Sequence, residues 1–543
     1  MGAPIPEIRH EQPQRFRGGS VLGAAGAVSV ATMVSRILGV MREMVMARYF
    51  GAGLFTDAFN VAYRIPNLLR DLFAEGALSS AFVPTFIRTL KNEGKDEAWL
   101  LANKVLNALV VILGGLTLLI YFGAKWFVYL LAAGYAGIPQ KLELTVQMTR
   151  IMSPFLLFVA LAAVVMGMLN AFGSFFVPAM APSTFNICCI LAGIFLSPFM
   201  PRWGLKPVVS MAVGALAGGI CQLVVQLPSA REKGYRFHAV LDFSDPGLRH
   251  IARLMFPAVI GLSATQINIT VDNQLASLYG NGPVSWLNYA FRLMQLPIGL
   301  FGVAIATATL ATVSHHAAEN RLDRLQATLS SSLRLAACLT FPATVGLILF
   351  RHEIIRLLYQ RGSFLPQDTV QTSKVLLLYA FALFAYSAVK ILVPTFYALN
   401  DTRTPVRTSM ITVAVKVAVN LVLVIPMGFL GLALATALAS WVNFALLLRG
   451  LHARLNEPWH WRRLKDYLRI GMASGLMGLV SLLTFHVANR FLPARGHLAL
   501  GADLLLAILV GMASMLPLLR LLGIAELNEL WLVLRRRSSG RSS

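Results

Sequence analysis

Charge, acidic residues in particular, and cysteine are scarce in this sequence. Of its 543 residues only 24 are Asp or Glu and 13% are charged, whereas 57% are apolar. Soluble globular domains carry about 25% charged residues, so this composition excludes a soluble globular fold. The chain is instead predicted to be an all-α polytopic membrane protein, built from apolar spans of about twenty residues.

Sequence motifs of catalysis and metal binding are also missing. There is no Gly-rich loop ending in Gly-Lys-Ser/Thr, no G-x-S-x-G and no H-E-x-x-H. The four cysteines lie in apolar runs without a C-x-x-C pair. The one His pair, His315-His316, is a poor metal site because helix neighbours point about 100° apart. We therefore expect no enzymatic activity, no catalytic residue, no metal and no cofactor.

Basic residues outnumber acidic ones and give a formal net charge of +23, but they are scattered through short loops between apolar spans. No basic domain stands apart, so binding of nucleic acid is not expected. The positive-inside rule accounts for the pattern and places both chain ends inside. The loop 351–368 is an exception, because it carries Arg351, Arg356 and Arg361 on the predicted outer side.

The apolar runs predict about fourteen membrane spans. Their bounds are 22–50, 55–86, 98–131, 146–171, 177–199, 207–228, 253–280, 284–314, 326–350, 370–398, 405–427, 429–450, 467–489 and 498–522. The predicted regions are a cytoplasmic N-terminal tail (1–21), an N-lobe (22–228), a basic cytoplasmic linker (229–252), a C-lobe (253–450), a C-terminal helix pair with its preceding loop (451–522) and a cytoplasmic tail (523–543).

A weak internal repeat with an offset near 228 supports two lobes of six helices each. The segment AFGSFFVP at 171–178 aligns with ALNDTRTP at 398–405, and Arg64 aligns with Arg292. With one residue of slip, Glu43 aligns with Asp272. Because six is even, the two lobes share one orientation. Transporters built from such repeats place their substrate site at the interface between the repeats.

Charged residues are concentrated in the stretch 35–84, which hydropathy divides into two helices at Gly51-Ala52-Gly53. Ionised groups at bilayer depth cost several kcal/mol each and normally face water or one another. Glu43 lies two helical turns after Arg36, so these two are expected to pair, and Pro66 is expected to interrupt the second helix. A polar stripe follows that helix at Asp57, Asn60, Arg64, Asn67 and Asp71.

A water-accessible cationic cavity suits an anionic substrate, since Arg binds phosphate bidentately. The residues predicted to bind the substrate are Arg36, Arg42, Glu43, Asp57, Arg64, Arg70 and Arg292. Asp272 is expected either to pair with Arg292 or to leave that Arg free for phosphate. Asp272 and Lys390 are also candidates for ion coupling. For Lys390 and Lys416, packing between helices and a functional role are equally open.

Three segments, SRILGVMRE, FGAG-x-x-TDAF and PNLLRDLFAEGALSSAFVP, resemble the opening helices of the MurJ (MviN) family. These are lipid II flippases of the multidrug/oligosaccharidyl-lipid/polysaccharide (MOP) exporter superfamily, with a MATE-like fold. SWLNYAFRLMQLP is also similar, with Phe291 where an Asp is frequent in the family. The resemblance implies a multi-pass bacterial inner-membrane protein that acts on lipid II among the membrane lipids, and we expect a monomer. It further implies that the C-terminal helix pair forms a groove for the lipid tail.

The expected function is therefore movement of lipid II, the undecaprenyl-pyrophosphate-linked peptidoglycan precursor, from the cytoplasmic to the outer leaflet by alternating access. Two transport alternatives stay open: a MATE-type drug or metabolite antiporter, and a flippase for another polyprenyl-linked oligosaccharide. An intramembrane glycosyl- or phosphotransferase would need a metal-binding carboxylate pair, whereas Asp57 and Asp71 are each accompanied by Arg. Coupling to Na⁺, to H⁺ or to the membrane potential is left open.

Overall fold

In the computed structural model the chain forms a bundle of α-helices. The structure describes residues 18–71, 78–455, 461–491 and 496–521, and no strand occurs within these ranges. The predicted all-α class is confirmed. The predicted C-terminal tail and residues 1–17 of the predicted N-terminal tail lie outside the described residues.

The described part of the first half, up to residue 232, contains nine α-helices. They are α1 (Gly18–Phe50), α2 (Leu54–Arg70), α3 (Ser79–Asn92), α4 (Lys95–Leu131), α5 (Pro139–Met152), α6 (Phe155–Ala171), α7 (Phe176–Leu191), α8 (Val209–Val224) and α9 (Leu227–Glu232). The expected interruption at Pro66 is wrong, because α2 continues through this buried proline to Arg70. Membrane helices tolerate proline where neighbouring groups or local adjustment satisfy the freed backbone carbonyl.

The second half contains nine more helices, and a helix pair follows it. They are α10 (Pro246–Ser277), α11 (Pro283–Pro297), α12 (Val303–Ala318), α13 (Leu322–Leu349), α14 (Arg351–Leu358), α15 (Pro366–Ala380), α16 (Leu383–Ala398), α17 (Arg403–Met427), α18 (Phe429–Leu455), α19 (Trp461–Phe491) and α20 (His497–Leu521). A short π-helical turn, Ile298–Gly302, joins α11 to α12.

Among the described residues, ten helical segments are long and apolar enough to cross a membrane. The number is eleven if the pair α15–α16, which bends by 45°, counts as one span. The other three predicted spans correspond to α1, α2–α3 and α10. With 33 and 32 residues, α1 and α10 exceed the roughly twenty residues that cross a bilayer. The count of fourteen stays a prediction.

The two halves meet around a central space. In the first half α1 packs on α7 and α2 on α5, while in the second half α10 packs on α17 and α11 on α15. Contacts between the halves run from α2 to α11 and from α10 to α3 and α4. Both the first charged helices and their counterparts in the second half therefore border the same interior.

At one end of the bundle, which we call the closed end, the turn between α1 and α2 is held against the second half. Gly51 has a φ of +70°, and a Cβ at this position would clash with Ser363 O. Ser363 N donates to Arg48 O at 2.9 Å, and Tyr289 Oη donates to Gly51 O at 3.2 Å. Glycine thus permits a close approach that joins the turn to α11 and to the loop before α15.

The terminal pair α19–α20 lies beside the second half, where α13 contacts α19 and α14 contacts α20. Large apolar side chains on this pair are exposed, including those of Leu468, Met472, Leu483, Leu505 and Leu509. An apolar outer surface is what lipid tails require of a spanning helix. The predicted groove for a lipid tail stays a prediction.

Candidate functional site

A cavity of about 780 Å³ lies between the two halves. Helices α1, α2, α7, α8, α10, α11, α17 and α18 contribute to its wall. Its charged lining consists of six cationic and three acidic side chains: Arg36, Arg42, Arg64, Arg70, Arg292, Lys416, Glu43, Asp71 and Asp272. Six of the seven predicted substrate-binding residues are in this set.

Glu43 is the centre of an arginine cluster that joins the two halves. Arg42 Nη2 donates to Glu43 Oε1 at 2.6 Å, and Arg292 Nε lies 3.6 Å from the same oxygen. Arg42 is buried and its guanidinium lies 5.2 Å from the ring centre of Phe185, whereas the Arg292 side chain is 52% exposed. One carboxylate from α1 therefore positions an arginine of each half, and Arg292 keeps donors directed to the cavity.

The expected pair of Arg36 and Glu43 is wrong, because Arg42 and Arg292 occupy the Glu43 carboxylate. The Arg36 guanidinium lies instead against Gly299, in the π-helical turn after α11. A Cβ at position 299 would overlap Arg36 Nη1. Glycine at this position makes room for an arginine from the opposite half of the chain.

A second network links α2 to α10. Arg64 Nη2 donates to Gln266 Oε1, and Gln266 Nε2 donates to Asp71 Oδ2 at 3.3 Å. Arg70 Nη2 donates to Asp71 Oδ1 at 2.9 Å. The stripe predicted on α2 therefore faces the cavity at Arg64, Asn67 and Asp71. Gln266 could not be predicted from the sequence, since its role depends on contact between the two halves.

Asp272 is held by α17 and not by Arg292. Lys416 Nζ donates to Asp272 Oδ2 at 2.6 Å, and Asn420 Nδ2 donates to Oδ1 at 2.9 Å. Of the two alternatives for Asp272, pairing with Arg292 does not occur, because Asp272 is bound by Lys416 and Asn420 and Arg292 lies beside Glu43. Lys416 thus lines the cavity, whereas Lys390, the other ion-coupling candidate, is exposed and is not part of the lining.

Asp57, the seventh predicted substrate-binding residue, lies outside the cavity. Its side chain is 0% exposed, as is that of Lys141, whose Nζ donates to Asp57 Oδ2 at 2.8 Å. Gly282 N donates to Oδ2 at 2.7 Å, and Ser285 donates to Oδ1 through N at 2.8 Å and through Oγ at 2.6 Å. Four donors therefore occupy the carboxylate and leave no room for a ligand.

We call Asp57, Lys141 and the segment 280–285 the latch. Lys141 Nζ also donates to Gly280 O at 2.9 Å and to Asn281 Oδ1 at 3.1 Å, so the latch fastens α2 and α5 to the α10–α11 turn at the closed end. Sequence analysis missed Lys141, which reads as a surface lysine at a helix start. One signal was present: Ser285 follows Asp57 by 228 residues, the offset of the internal repeat.

Uncharged amides form much of the remaining polar wall of the cavity. They are Asn67, Asn186, Gln222, Asn268, Asn273, Asn288, Gln295 and Asn443. Each amide offers both donors and acceptors, which suits hydroxyl and amide groups of a ligand. A cationic cluster beside an amide-rich wall can bind a molecule that carries phosphate next to sugar or peptide.

Within the described residues, a single group places three candidate metal-ligand atoms within 4.8 Å of one another: His315, His316 and Glu319. It lies near the C-terminal end of α12, outside the cavity. Glu319 also contacts Arg321 Nη1 at 3.2 Å, and this cation competes for the carboxylate. The group does not form part of the candidate site.

Comparison with known proteins gives consistent matches over most of the chain. The family model described as lipid II flippase MurJ matches residues 46–521. A probable lipid II flippase MurJ of Vibrio cholerae is 35% identical over 505 residues, which cover 89% of this chain and 94% of the relative. The lipid II flippase MurJ of Burkholderia cenocepacia is 35% identical over 431 residues, 79% of this chain and 83% of the relative.

Solved structures show the same architecture. A structure of lipid II flippase MurJ in an inward closed conformation matches with a TM-score of 0.76 and 29% identity, over 91% of this chain and 98% of that one. An inward-facing multidrug-resistance MATE transporter of the MOP superfamily matches with a TM-score of 0.64 and 14% identity, over 80% and 98%. The second likeness concerns the fold alone. The predicted MOP/MATE-like fold is confirmed.

Proposed function

Because the chain belongs to the lipid II flippase MurJ family, we propose that it moves lipid II from the cytoplasmic to the outer leaflet of the bacterial inner membrane by alternating access. The observation that supports this most directly is the cavity between the halves, where six cationic side chains line the interior of an apolar bundle. Charges in such a place are costly unless they serve a ligand or one another. In this cavity the six cationic side chains outnumber the three acidic side chains by three.

The pyrophosphate of the substrate is proposed to bind at the arginine cluster around Glu43. Arg42 and Arg292 approach one carboxylate oxygen from different halves, and Arg36 and Arg70 line the same cavity. A guanidinium fork matches phosphate oxygens and forms charge-assisted hydrogen bonds of about 1.5–3 kcal/mol each. Movement of one half against the other would change the distance between the arginines and release the anion.

The sugar and peptide portion of the head group is proposed to lie against the amide wall. Its hydroxyl and amide groups then replace water as hydrogen-bond partners of residues such as Asn186 and Asn443. The polyprenyl tail stays in lipid beside α19–α20. A MATE-type antiporter of cationic drugs is disfavoured, because the cationic cavity would repel its substrate.

We propose two lobes, 22–228 and 253–450, with both chain ends inside and the closed end outside. The charge bias of the loops supports this orientation, and the contact of Asp57 with Ser285, one repeat offset away, supports paired lobes.

The protein is proposed to be a monomer that needs no cofactor and performs no catalysis. An inside-negative potential favours outward movement of an anion by about 2.3 kcal/mol per charge per 100 mV, and Na⁺ or H⁺ coupling through Asp272 is a further hypothesis.

The test is complementation of a bacterium depleted of its own lipid II flippase, with lipid II in the outer leaflet measured directly. The wild type is expected to restore growth and export, and Arg42→Ala to abolish both while the protein still inserts. Arg42→Lys is expected to restore only part of the export, because an ammonium lacks the fork. Arg48→Ala is the matched control, since the exposed Arg48 side chain lies one turn or more away and outside the cavity.

Two results would overturn the proposal. If the wild type fails to export lipid II although it is inserted, the substrate is wrong. If Arg42→Ala supports wild-type export, the pyrophosphate site is wrong. Orientation is tested separately by labelling cysteines introduced into the linker 231–249, and labelling from outside the cell would contradict the proposed topology.

A further inference from the structure

A second, smaller pocket of about 210 Å³ lies at the closed end, away from the cavity. We call it the α14 pocket. It is lined by His352, Glu353 and Arg356 of α14, Phe485 and Asn489 of α19, and Gly496, His497 and Leu500 at the start of α20. The proposed lipid II path through the central cavity does not use it. Its polar lining lies where the terminal pair contacts α14.

Two polar atoms of the α14 pocket are enclosed but unsatisfied. Glu353 Oε2 and His497 Nδ1 are both shielded from solvent, and neither has a hydrogen-bond partner among the described residues. An enclosed polar atom without a partner costs about 1–3 kcal/mol, so such atoms in a native structure call for a ligand or a role. A carboxylate oxygen can only accept, and so it requires a donor.

The pocket also contains one cation, Arg356, for which the described part of the chain provides no ion-pair partner. The loop 351–368 was exceptional because it carries three arginines on the predicted outer side. Two of these bind carbonyl groups of their own segment: Arg351 donates to Ile348 O and Arg361 donates to Leu357 O. Arg356 is exposed and lines the α14 pocket. An acceptor that needs a donor and a guanidinium with accessible donors therefore border one space.

Apolar side chains lie directly beneath and beside these polar groups. Phe485 and Leu500 line the pocket, and Phe485 also packs against the buried cluster formed by Phe350, Leu504 and Ala507. On the outer surface, Leu498 is 93% exposed. A polar recess next to a lipid-facing surface at the end of spanning helices fits an amphiphile whose head group enters the recess.

We propose that the α14 pocket binds the phosphoethanolamine head group of a membrane phospholipid. The phosphate lies at Arg356 and the primary ammonium donates to Glu353 Oε2 and, with the imidazole proton of His497 on Nε2, to His497 Nδ1, so both unsatisfied atoms gain a partner. A purely anionic head group would face the unpaired Glu353, and a trimethylated ammonium has no N–H to donate. At roughly 30 Å³ per water molecule, the pocket has room for a phosphate and a two-carbon amine.

The test measures lipid retention by the full-length protein and does not depend on transport. Protein in nanodiscs of phosphatidylethanolamine, phosphatidylcholine and phosphatidylglycerol, in equal amounts and with identical acyl chains, is extracted and analysed by native mass spectrometry. We expect one retained phosphatidylethanolamine per protein, with about tenfold preference over each other lipid. Arg356→Gln should abolish retention, and Glu353→Gln should remove the preference over phosphatidylcholine.

Arg351→Gln is the matched control, because Arg351 is on the same helix but outside the pocket, and it should retain lipid as the wild type does. Thermal unfolding identifies any variant that fails to fold, and Arg356→Lys, which keeps the charge, should then show partial retention. Equal retention of the three lipids by the wild type, or equal loss in Arg351→Gln, would refute the proposal. Soluble glycerophosphoethanolamine should compete at least tenfold less well than the lipid, and equal competition would assign the site to a soluble amine.

Discussion

The latch and the arginine cluster each pair a carboxylate of the two opening helices with a basic side chain, yet the surroundings of the two pairs are opposite. Asp57 and Lys141 are both 0% exposed, and four donors occupy the Asp57 carboxylate. Glu43 is 15% exposed and Arg292 52%, and their closest atoms are 3.6 Å apart. From the sequence alone, Asp57 and Glu43 are expected in one substrate site. Saturation of hydrogen bonds and access to water separate a structural ion pair from one that can bind a ligand.

This difference has an energetic consequence. A buried ion pair contributes little net stability, but removal of one partner leaves an uncompensated buried charge and costs about 3–5 kcal/mol. A half-exposed charge next to a water-filled cavity is resolvated when its partner is lost, so the cost is much smaller. Alternating access would require the latch to open, whereas the arginine cluster has donors available before any movement. Stability measurements on matched variants therefore test whether burial is what separates the latch from the arginine cluster.

The largest effect is expected for Lys141→Met. It leaves Asp57 charged and buried, so the free energy of unfolding should fall by about 3–5 kcal/mol, measured as a loss of thermal stability in detergent. Asp57→Asn combined with Lys141→Met removes both charges and should recover part of the loss. If the double variant is no more stable than Lys141→Met, charge burial is not the cause.

Lys416→Met is expected to have an intermediate effect. Lys416 is buried, but Asp272 is 21% exposed on the cavity side and keeps its bond from Asn420. Loss of one hydrogen bond between charged groups should cost about 1.5–3 kcal/mol, read from the same thermal assay. Lys390→Met is the control, because Lys390 is exposed, and it should change stability by at most about 0.5 kcal/mol. Equal losses in the two variants would remove the distinction between these lysines.

Much of the fold could be predicted from sequence because the bilayer restricts it so strongly. Apolar runs fix the helices, and the turn at Gly51–Gly53 follows from glycine and polarity. Charges inside apolar helices must face an interior cavity, which is why Arg42, Arg70 and Arg292 were identified and do line it. This prediction rests only on the free-energy cost of an ionised side chain at bilayer depth. That cost is the same whichever partner the side chain has in the folded protein.

The partners themselves could not be predicted. Arg36 and Glu43 share a helical face, but Arg292 from the other half and the neighbouring Arg42 are nearer to the carboxylate. Asp57 belongs to the same polar stripe as Arg64. Only the tertiary contacts show that Arg64 lines the cavity, whereas Asp57 lies outside it at the closed end of the bundle. Lys141 lies at a helix start where surface lysines are common. Each of these errors concerns contacts between segments at least 80 residues apart or competition for one acceptor.

Glu43→Gln should change stability by less than about 1 kcal/mol, because cavity water can solvate both arginines after the charge is removed. Its effect on export should be partial and smaller than that of Arg42→Ala, since an amide oxygen still accepts from Arg42 but holds Arg292 less firmly. Outer-leaflet lipid II in the depleted strain provides the measurement. Complete loss of export, as expected for Arg42→Ala, with normal insertion would show that Glu43 does more than position arginines and would favour ion coupling at this carboxylate.

A smaller effect than at Lys141 is expected outside the membrane, at Asp245, whose carboxylate is only partly buried and does not line the cavity. Asp245 caps α10 by accepting from Leu248 N at 2.9 Å, and Lys104 Nζ lies 2.6 Å from its second oxygen. Burial opposes ionisation of this group, but the bonds from Lys104 and Leu248 outweigh it and hold the pKa of Asp245 below its ordinary value of 3.8. A lowered pKa means that the folded state favours the ionised form. The contribution to stability is therefore complete above about pH 4 and is lost as the pH falls through the lowered pKa.

Cleavage of the linker by trypsin at Arg236 reports on this contact, because the contact anchors the linker between α9 and α10 to α4. At pH 7, Asp245→Ala should lose both the cap and the ion pair, at about 1–2 kcal/mol, and cleavage should become faster. Asp245→Asn keeps a capping side chain and should lose only about 0–1 kcal/mol. Asp242→Asn is the control, since Asp242 is 41% exposed and lies 3.2 Å from Lys104, and it should have less effect than Asp245→Ala. A larger effect of Asp242→Asn would mean that exposure does not rank these carboxylates, and the contrast between latch and cavity would then need another explanation.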